Sequence, residues 1–139
     1  MSTPDIARQI VDLMYNNDPM SQWLGIERVI DAPGNSVLRL VVRPEMLNGF
    51  AIAHGSITYA LADSALAFAS NAHGTKAVSV ETSISHLKPV QAGDTLETEV
   101  QEVSLTTRTG IYLIYIKNQR NERVALFKGV VHRTDKPWL

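Results

Sequence analysis

The chain has 139 residues, 45% hydrophobic and 19% charged, with a formal net charge of −1 and no cysteine. That balance supplies no field to gather nucleic acid, and the missing thiols exclude disulfides, thiolate metal sites and cysteine nucleophiles. The length predicts one domain over 1–139, burying roughly two-thirds of the surface its unfolded chain exposes.

The opening MSTPDIARQI lacks the basic region and continuous apolar core of a signal peptide. No stretch approaches the ~18 consecutive apolar residues of a membrane span. The expectation is a cytoplasmic protein with no membrane partner. Thr3-Pro4-Asp5 predicts a helix start, with a capping hydroxyl, a proline at the first helical position and an acid in the first turn. Ile6, Ile10, Leu13 and Met14 then recur at helical spacing, and Asn16-Asn17-Asp18-Pro19 ends that helix. Trp23, Leu24 and Ile26 are expected to anchor the entry to the main body.

Two short strands are predicted near Gly25–Asp31 and Ser36–Val42, joined by the turn Pro33-Gly34-Asn35. Arg43–Ala53 reads as a loop, and a long apolar helix follows from about His54 to Asn71, with Gly74 just beyond its end. Four longer strands complete the chain, at Lys76–Leu87, Thr95–Leu105, Thr109–Asn118 and Arg123–Arg133. In the second of these, Leu96, Thr98 and Val100 alternate with Glu97, Glu99 and Gln101, so one face is covered and the other wet. Gln91–Asp94 and Gln119–Glu122 are read as hairpin connections. One buried helix is too little core alone, so an antiparallel sheet must wrap around it.

Asp63 stands inside that helix, in a run, Ser56–Ala69, with no other charged residue. Its helical neighbours are Tyr59, Ala60, Leu66 and Ala67, so no cation on the helix can pair with it. A helix this apolar should be buried, and burying an unpaired carboxylate costs several kcal/mol. A functional acid is therefore the favoured reading. Asn48, His54-Gly55-Ser56 and Asp63 bracket the helix. Backbone N–H groups at a helix start lack internal acceptors and favour negative charge, and glycine lets a ligand oxygen approach them without meeting a Cβ. Those are the requirements of an oxyanion hole. Gly55 and Asp63 nevertheless lie roughly 12 Å apart along the axis, too far to serve one carbonyl carbon within a single chain. Two helices antiparallel across a two-fold axis would bring Gly55 of one protomer to Asp63 of the other. A homodimer with shared active sites is expected.

Leu47-Asn48-Gly49, His54-Gly55 and Leu61-Ala62-Asp63 resemble the LNG…HGG…LAD signature of hotdog-fold thioesterases, with the nearest likeness to the PaaI-type acyl-CoA thioesterases of phenylacetate degradation. Further matches are Val78-Ser79-Val80, Leu87-Lys88-Pro89, Ala92-Gly93-Asp94, Thr109-Gly110-Ile111-Tyr112 and Val124-Ala125-Leu126-Phe127. The resemblance runs from about Asp5 to His132. It implies an α+β hotdog fold, a long central helix wrapped by a six-stranded antiparallel sheet, with a short N-terminal helix. It implies dimers with a continuous sheet that pair into a homotetramer. It implies hydrolysis of an acyl-CoA, aromatic in type, to free acid and CoA. Asp63 would be general base or nucleophile, and the Gly55 N–H would polarise the thioester carbonyl. Asn48 and His54 would position the thioester or support the helix start, and Ser79 would orient water. Lys88 and Arg108 match basic positions near the nucleotide cleft, suited to phosphate. Ser56 departs from the family, where a second glycine is usual, and could narrow the acyl pocket.

Competing readings are a non-catalytic acyl-CoA-binding module on the same fold and a hotdog enoyl-thioester hydratase or dehydratase, with His54 and Asp63 as its acid–base pair. No two histidines have metal-ligand spacing and no H-E-x-x-H occurs, so neither metal nor cofactor is expected. G-x-S-x-G is absent too, which argues against Ser56 as a nucleophile. His73, His86 and His132 are assigned structural or solvent-facing places, and Tyr59 and Phe68 packing places.

Overall fold

A computed structural model describes residues 2–139. Helix α1 spans Thr3–Asn16 and α2 spans Pro19–Leu24. Strands β1 (Glu27–Ala32) and β2 (Asn35–Val41) follow, then a single 3-10 turn at Pro44–Met46 and the central helix α3 (Gly55–Asn71). Strands β3 (Thr75–His86), β4 (Thr95–Leu105), β5 (Thr109–Lys117) and β6 (Arg123–Pro137) complete the chain. They form one antiparallel sheet in the order β1-β2-β4-β5-β6-β3. The sheet curls around α3, as expected for a hotdog.

Alternation places the core. Along β5, Tyr112, Ile114 and Ile116 are fully buried, and Phe127 and Val131 of β6 join them against Leu61, Ala65, Leu66 and Phe68 of α3. Each buried Ile, Leu, Val or Phe among them contributes about 1.5–3 kcal/mol by leaving water. The helix can lie this close because β6 carries Gly129: a Cβ there would stand 2.5 Å from Leu66 Cδ2. Tyr59 packs edge-on against Phe127 with ring centroids 5.4 Å apart.

Thr98 shows what a buried polar residue does in this sheet. Its Oγ1 donates to Ser36 O at 2.8 Å and accepts from the Leu38 N–H at 2.8 Å, continuing the β2–β4 pairing through a side chain. Thr98→Val keeps the shape but strands both backbone groups. It is expected to lower unfolding free energy by about 1–3 kcal/mol, read as a reduced midpoint in urea at unchanged slope.

Several sequence expectations need correction. The short helix α2 was not anticipated: Asn16–Pro19 ends α1 but also begins α2, because Asp18 accepts from the Ser21 N–H at 3.0 Å as its N-cap. Ser2, not Thr3, is the N-cap of α1. Gln91–Asp94 is not a hairpin. Strand β3 pairs with β6 at the far edge of the sheet, so the chain must cross to reach β4. The turn instead docks on the end of β2, where Gly93 N–H donates to Val42 O (2.8 Å) and Val42 N–H to Asp94 O (2.9 Å). Finally, β6 runs four residues past Arg133, its polar end held by Thr134 Oγ1 donating to Lys76 O at 2.6 Å.

The central helix is not enclosed on all sides. Ser56 and Asp63 are exposed and Ala60 and Ala67 half-buried. Spaced by four, three and four residues, they form one stripe open to solvent. Helical periodicity reveals an apolar helix, but not which side a single chain leaves uncovered. Beside that stripe β3 presents a free edge of twelve residues, with Val78 57% and Val80 64% exposed.

Candidate active site

The first half of the site is the start of α3. His54 is its N-cap, with Nδ1 accepting the Ser56 N–H at 3.0 Å and its own N–H donating to Met46 O at 2.8 Å. The imidazole therefore supports the helix entry, one of the two roles the sequence left open. Among the described residues the Gly55 N–H has no hydrogen-bond partner, and Gly55 lines a cavity of about 300 Å³ with Asn48, Thr58, His86 and Lys88. Asn48 Oδ1 accepts from the N–H groups of Phe50 (2.9 Å) and Ile52 (3.4 Å), tying down the preceding loop. The side chain is thus a turn former and a cavity wall at once.

The second half lies two helical turns along. Asp63 is exposed in the single chain, which corrects the expectation that apolar side chains enclose it there. Its inner side still faces the apolar flank of the helix. Desolvation on that side raises its carboxyl above the usual carboxylate range, and the negative charge of Asp18 acts in the same direction. No cation pairs with it among the described residues. Asp63 borders a second cavity, about 450 Å³, which it shares with Ser79 of β3. Of the residues singled out from sequence, Asn48, Gly55 and Lys88 meet in one cavity and Asp63 and Ser79 in the other. Ser56 stands on the open stripe, outside both.

The basic residues divide in the same way. Lys88 sits at the rim of the Gly55 cavity, where Nζ contacts Glu122 Oε2 at 2.9 Å and remains half exposed. Hydrogen bonds from Asn118, Lys88 and Arg120 hold the Glu122 carboxyl down at about 2. Arg108 is exposed in the β4–β5 turn, beside Thr109, which pairs with His132 of β6 and through it lies level with Val78. Lys88 leaves the opposite end of β3, level with Ala125 and Ile116. Seven strand residues, about 24 Å, separate the two levels. The two cations therefore leave the sheet at opposite ends of one chain.

Residues 50–125 match the family model described as the thioesterase superfamily. The acyl-coenzyme A thioesterase PaaI of Escherichia coli strain K12 is 40% identical over 127 residues, 91% of each chain. The chain belongs to the thioesterase superfamily. The structure of the E. coli PaaI protein from the phenylacetic acid degradation operon superposes with a TM-score of 0.94 at 38% identity, covering 98% of this chain and 99% of that one. A Streptococcus mutans UA159 protein solved bound to acetyl CoA gives 0.77 at 27% identity, covering 81% and 90%. The hotdog fold and the PaaI type expected from the motifs are both borne out, and the chain is a thioester hydrolase.

Two features of this thioesterase were not visible in the sequence. His86 was assigned no part in the site, yet its Nε2 lies 3.1 Å from where a Gly55 Cβ would stand, and its Nδ1 is 3.4 Å from Thr58 Oγ1. A lone histidine at a strand end carries no spacing signal. Trp138, near the end of the chain, walls the Asp63 cavity. No helix among the described residues is long and apolar enough to cross a membrane.

Proposed function

We propose that this thioesterase hydrolyses acyl-CoA, preferring aromatic acyl groups of the phenylacetyl type, at sites shared by two protomers. The observation that carries this reading is the separation of an unpartnered Gly55 N–H and an unpaired Asp63 carboxylate into different cavities of one chain. The open stripe on α3 and the free edge of β3 lie on the same side, since Asp63 and Val78 border one cavity. A second copy added edge to edge would cover both. Gly55 and Lys88 of one protomer then face Asp63, Ser79 and Arg108 of its partner. Such dimers pair further into a tetramer, and the whole chain acts as one catalytic domain.

In that arrangement the thioester oxygen takes the Gly55 N–H. The Asp63 carboxylate of the partner either removes a proton from water, whose oxygen bonds to the acyl carbon, or attacks that carbon itself. Charge moves onto the carbonyl oxygen, the C–S bond breaks, and CoA leaves as a thiolate; where Asp63 itself attacked, water then cleaves the resulting anhydride, releasing the acid and restoring the carboxylate. A thioester is already activated, so no metal is required. Ser79 orients the water, and Lys88 with the partner's share of basic charge receives phosphate through the ammonium donors that Glu122 leaves free. The E. coli relative named for acyl-coenzyme A and the S. mutans protein bound to acetyl CoA support this substrate class.

Purified protein given phenylacetyl-CoA, acetyl-CoA and crotonyl-CoA should release thiol, read with a disulfide reagent, fastest from phenylacetyl-CoA. The enoyl absorbance of crotonyl-CoA should fall only as far as its thiol appears. Absence of thiol from every substrate would leave a binding module, and loss of enoyl absorbance ahead of thiol would indicate a hydratase.

A further inference from the structure

We propose that the apolar cavity behind Asp63 receives the acyl group and that Trp138, locked by Asn71, sets its depth. This rests on the thioesterase reading and adds to it the residues that choose the acyl chain. The Gly55 cavity carries Lys88 and polar groups, which suits the CoA end of the substrate. The cavity beyond Asp63 is more apolar, with Met14, Leu66, Val131 and Trp138 as its larger walls, although Lys76 and Ser79 also border it. An acyl group whose carbonyl carbon meets Asp63 must run away from CoA, and this is the apolar space on that course. Its volume of about 450 Å³ lies within the range of small-molecule pockets.

Trp138 is held both by its backbone and by its ring. Its N–H donates to Gly74 O at 3.0 Å and its indole Nε1–H to Asn71 Oδ1 at 2.9 Å. Asn71 is buried and fully used: Oδ1 also accepts from Ala77 N–H (2.9 Å), while Nδ2 donates to Ala67 O (2.8 Å) and Ala77 O (3.0 Å). An amide with all four positions engaged cannot turn away, so the indole is fixed to the central helix. Lys76 Nζ lies 5.1 Å from the ring centroid. Behind Trp138 is an open surface groove, lined by Leu13, Asn17 and Met20, and the two spaces share Met14 and Trp138 as their common wall. Removing the indole joins them. A short aryl group stops against Trp138, whereas a long straight chain needs the space beyond it.

The test compares wild type with Trp138→Ala and Trp138→Phe on acetyl-, phenylacetyl- and decanoyl-CoA. In Trp138→Ala, kcat/KM for decanoyl-CoA should rise about tenfold or more, and that for phenylacetyl-CoA should fall about tenfold, chiefly through KM. Acetyl-CoA, too short to reach the wall, should change least of the three, and Trp138→Phe should restore the wild-type order. Unchanged ratios among the three substrates in an active Trp138→Ala protein would overturn the proposal while leaving the thioesterase reading intact. Inactivity of wild type on all three would overturn that reading instead. Should Trp138→Ala not fold, Trp23→Phe combined with Asp63→Asn leaves Trp138 as the only indole in a protein that binds the substrate but barely consumes it. Its emission must then shift on adding phenylacetyl-CoA and not on adding CoA, and equal responses to both would contradict the proposal.

Discussion

Asp63→Asn is expected to lower kcat by about 10²–10⁴-fold with KM little changed, the range lost when a positioned proton acceptor is removed. The amide keeps the size and hydrogen-bonding reach of the carboxylate but can neither take a proton from water nor attack a thioester. Wild-type kcat/KM should rise with pH through the ionisation of Asp63, and that acid limb should lie above the usual carboxylate range because desolvation and Asp18 both oppose the charge. The same shift fixes the effect on stability. A carboxyl whose folded pKa is raised above its unfolded value favours the fold while protonated, and that contribution is lost as pH rises through the folded value. Asp63→Asn should therefore melt higher than wild type at pH 7, the difference closing towards acid pH. An inactive variant with a raised Tm separates loss of chemistry from loss of structure. A variant retaining near-wild-type turnover would remove Asp63 from the reaction.

The second large effect belongs to a backbone donor. Gly55 is the first residue of α3, where proline is tolerated, and His54 already has φ −59° and ψ 140°, the extended region that a residue before proline requires. Gly55→Pro thus deletes one N–H while leaving the helix start intact. Loss of one oxyanion donor should reduce kcat by about 10²–10³-fold. Gly55→Ala is the matched control. It retains the N–H and adds a Cβ that would stand 3.1 Å from His86 Nε2, so the imidazole must give by a few tenths of an ångström. Its loss should be much smaller. Equal losses in the two variants, each with wild-type circular dichroism, would mean that space rather than the N–H matters at this position.

Much of this architecture was legible in the residues. Alternation over Leu96–Gln101 of β4 and the long apolar run of α3 place strand and helix to within a residue or two, because local periodicity reports which face is covered. Gly55 and Asp63 could be named as candidates for a different reason: a charge in an apolar run and a glycine at a helix start are local anomalies. What escaped was set by distant parts of the chain. Pairing of β3 with β6 rather than β4 depends on the closing of the whole sheet. The extension of β6 to Pro137 depends on polar contacts to β3 that alternation does not mark. His86 and Trp138 reach their cavities through tertiary packing, with no pattern in their neighbours to announce it. The open side of α3 is the most instructive case. An apolar helix reads as buried whether its last face is covered by its own chain or by a second copy.

That distinction can be measured in hybrid dimers. Asp63→Asn and Gly55→Pro proteins, each inactive alone, are mixed, dissociated and allowed to re-pair, and the fraction of hybrids is verified by native mass spectrometry. Each hybrid then contains one site with both defects and one site built from an intact Gly55 and an intact Asp63. At equal mixing, thiol release from phenylacetyl-CoA should recover to about a quarter of the wild-type rate. Hybrids demonstrably formed but as inactive as their parents would contradict a site shared between protomers.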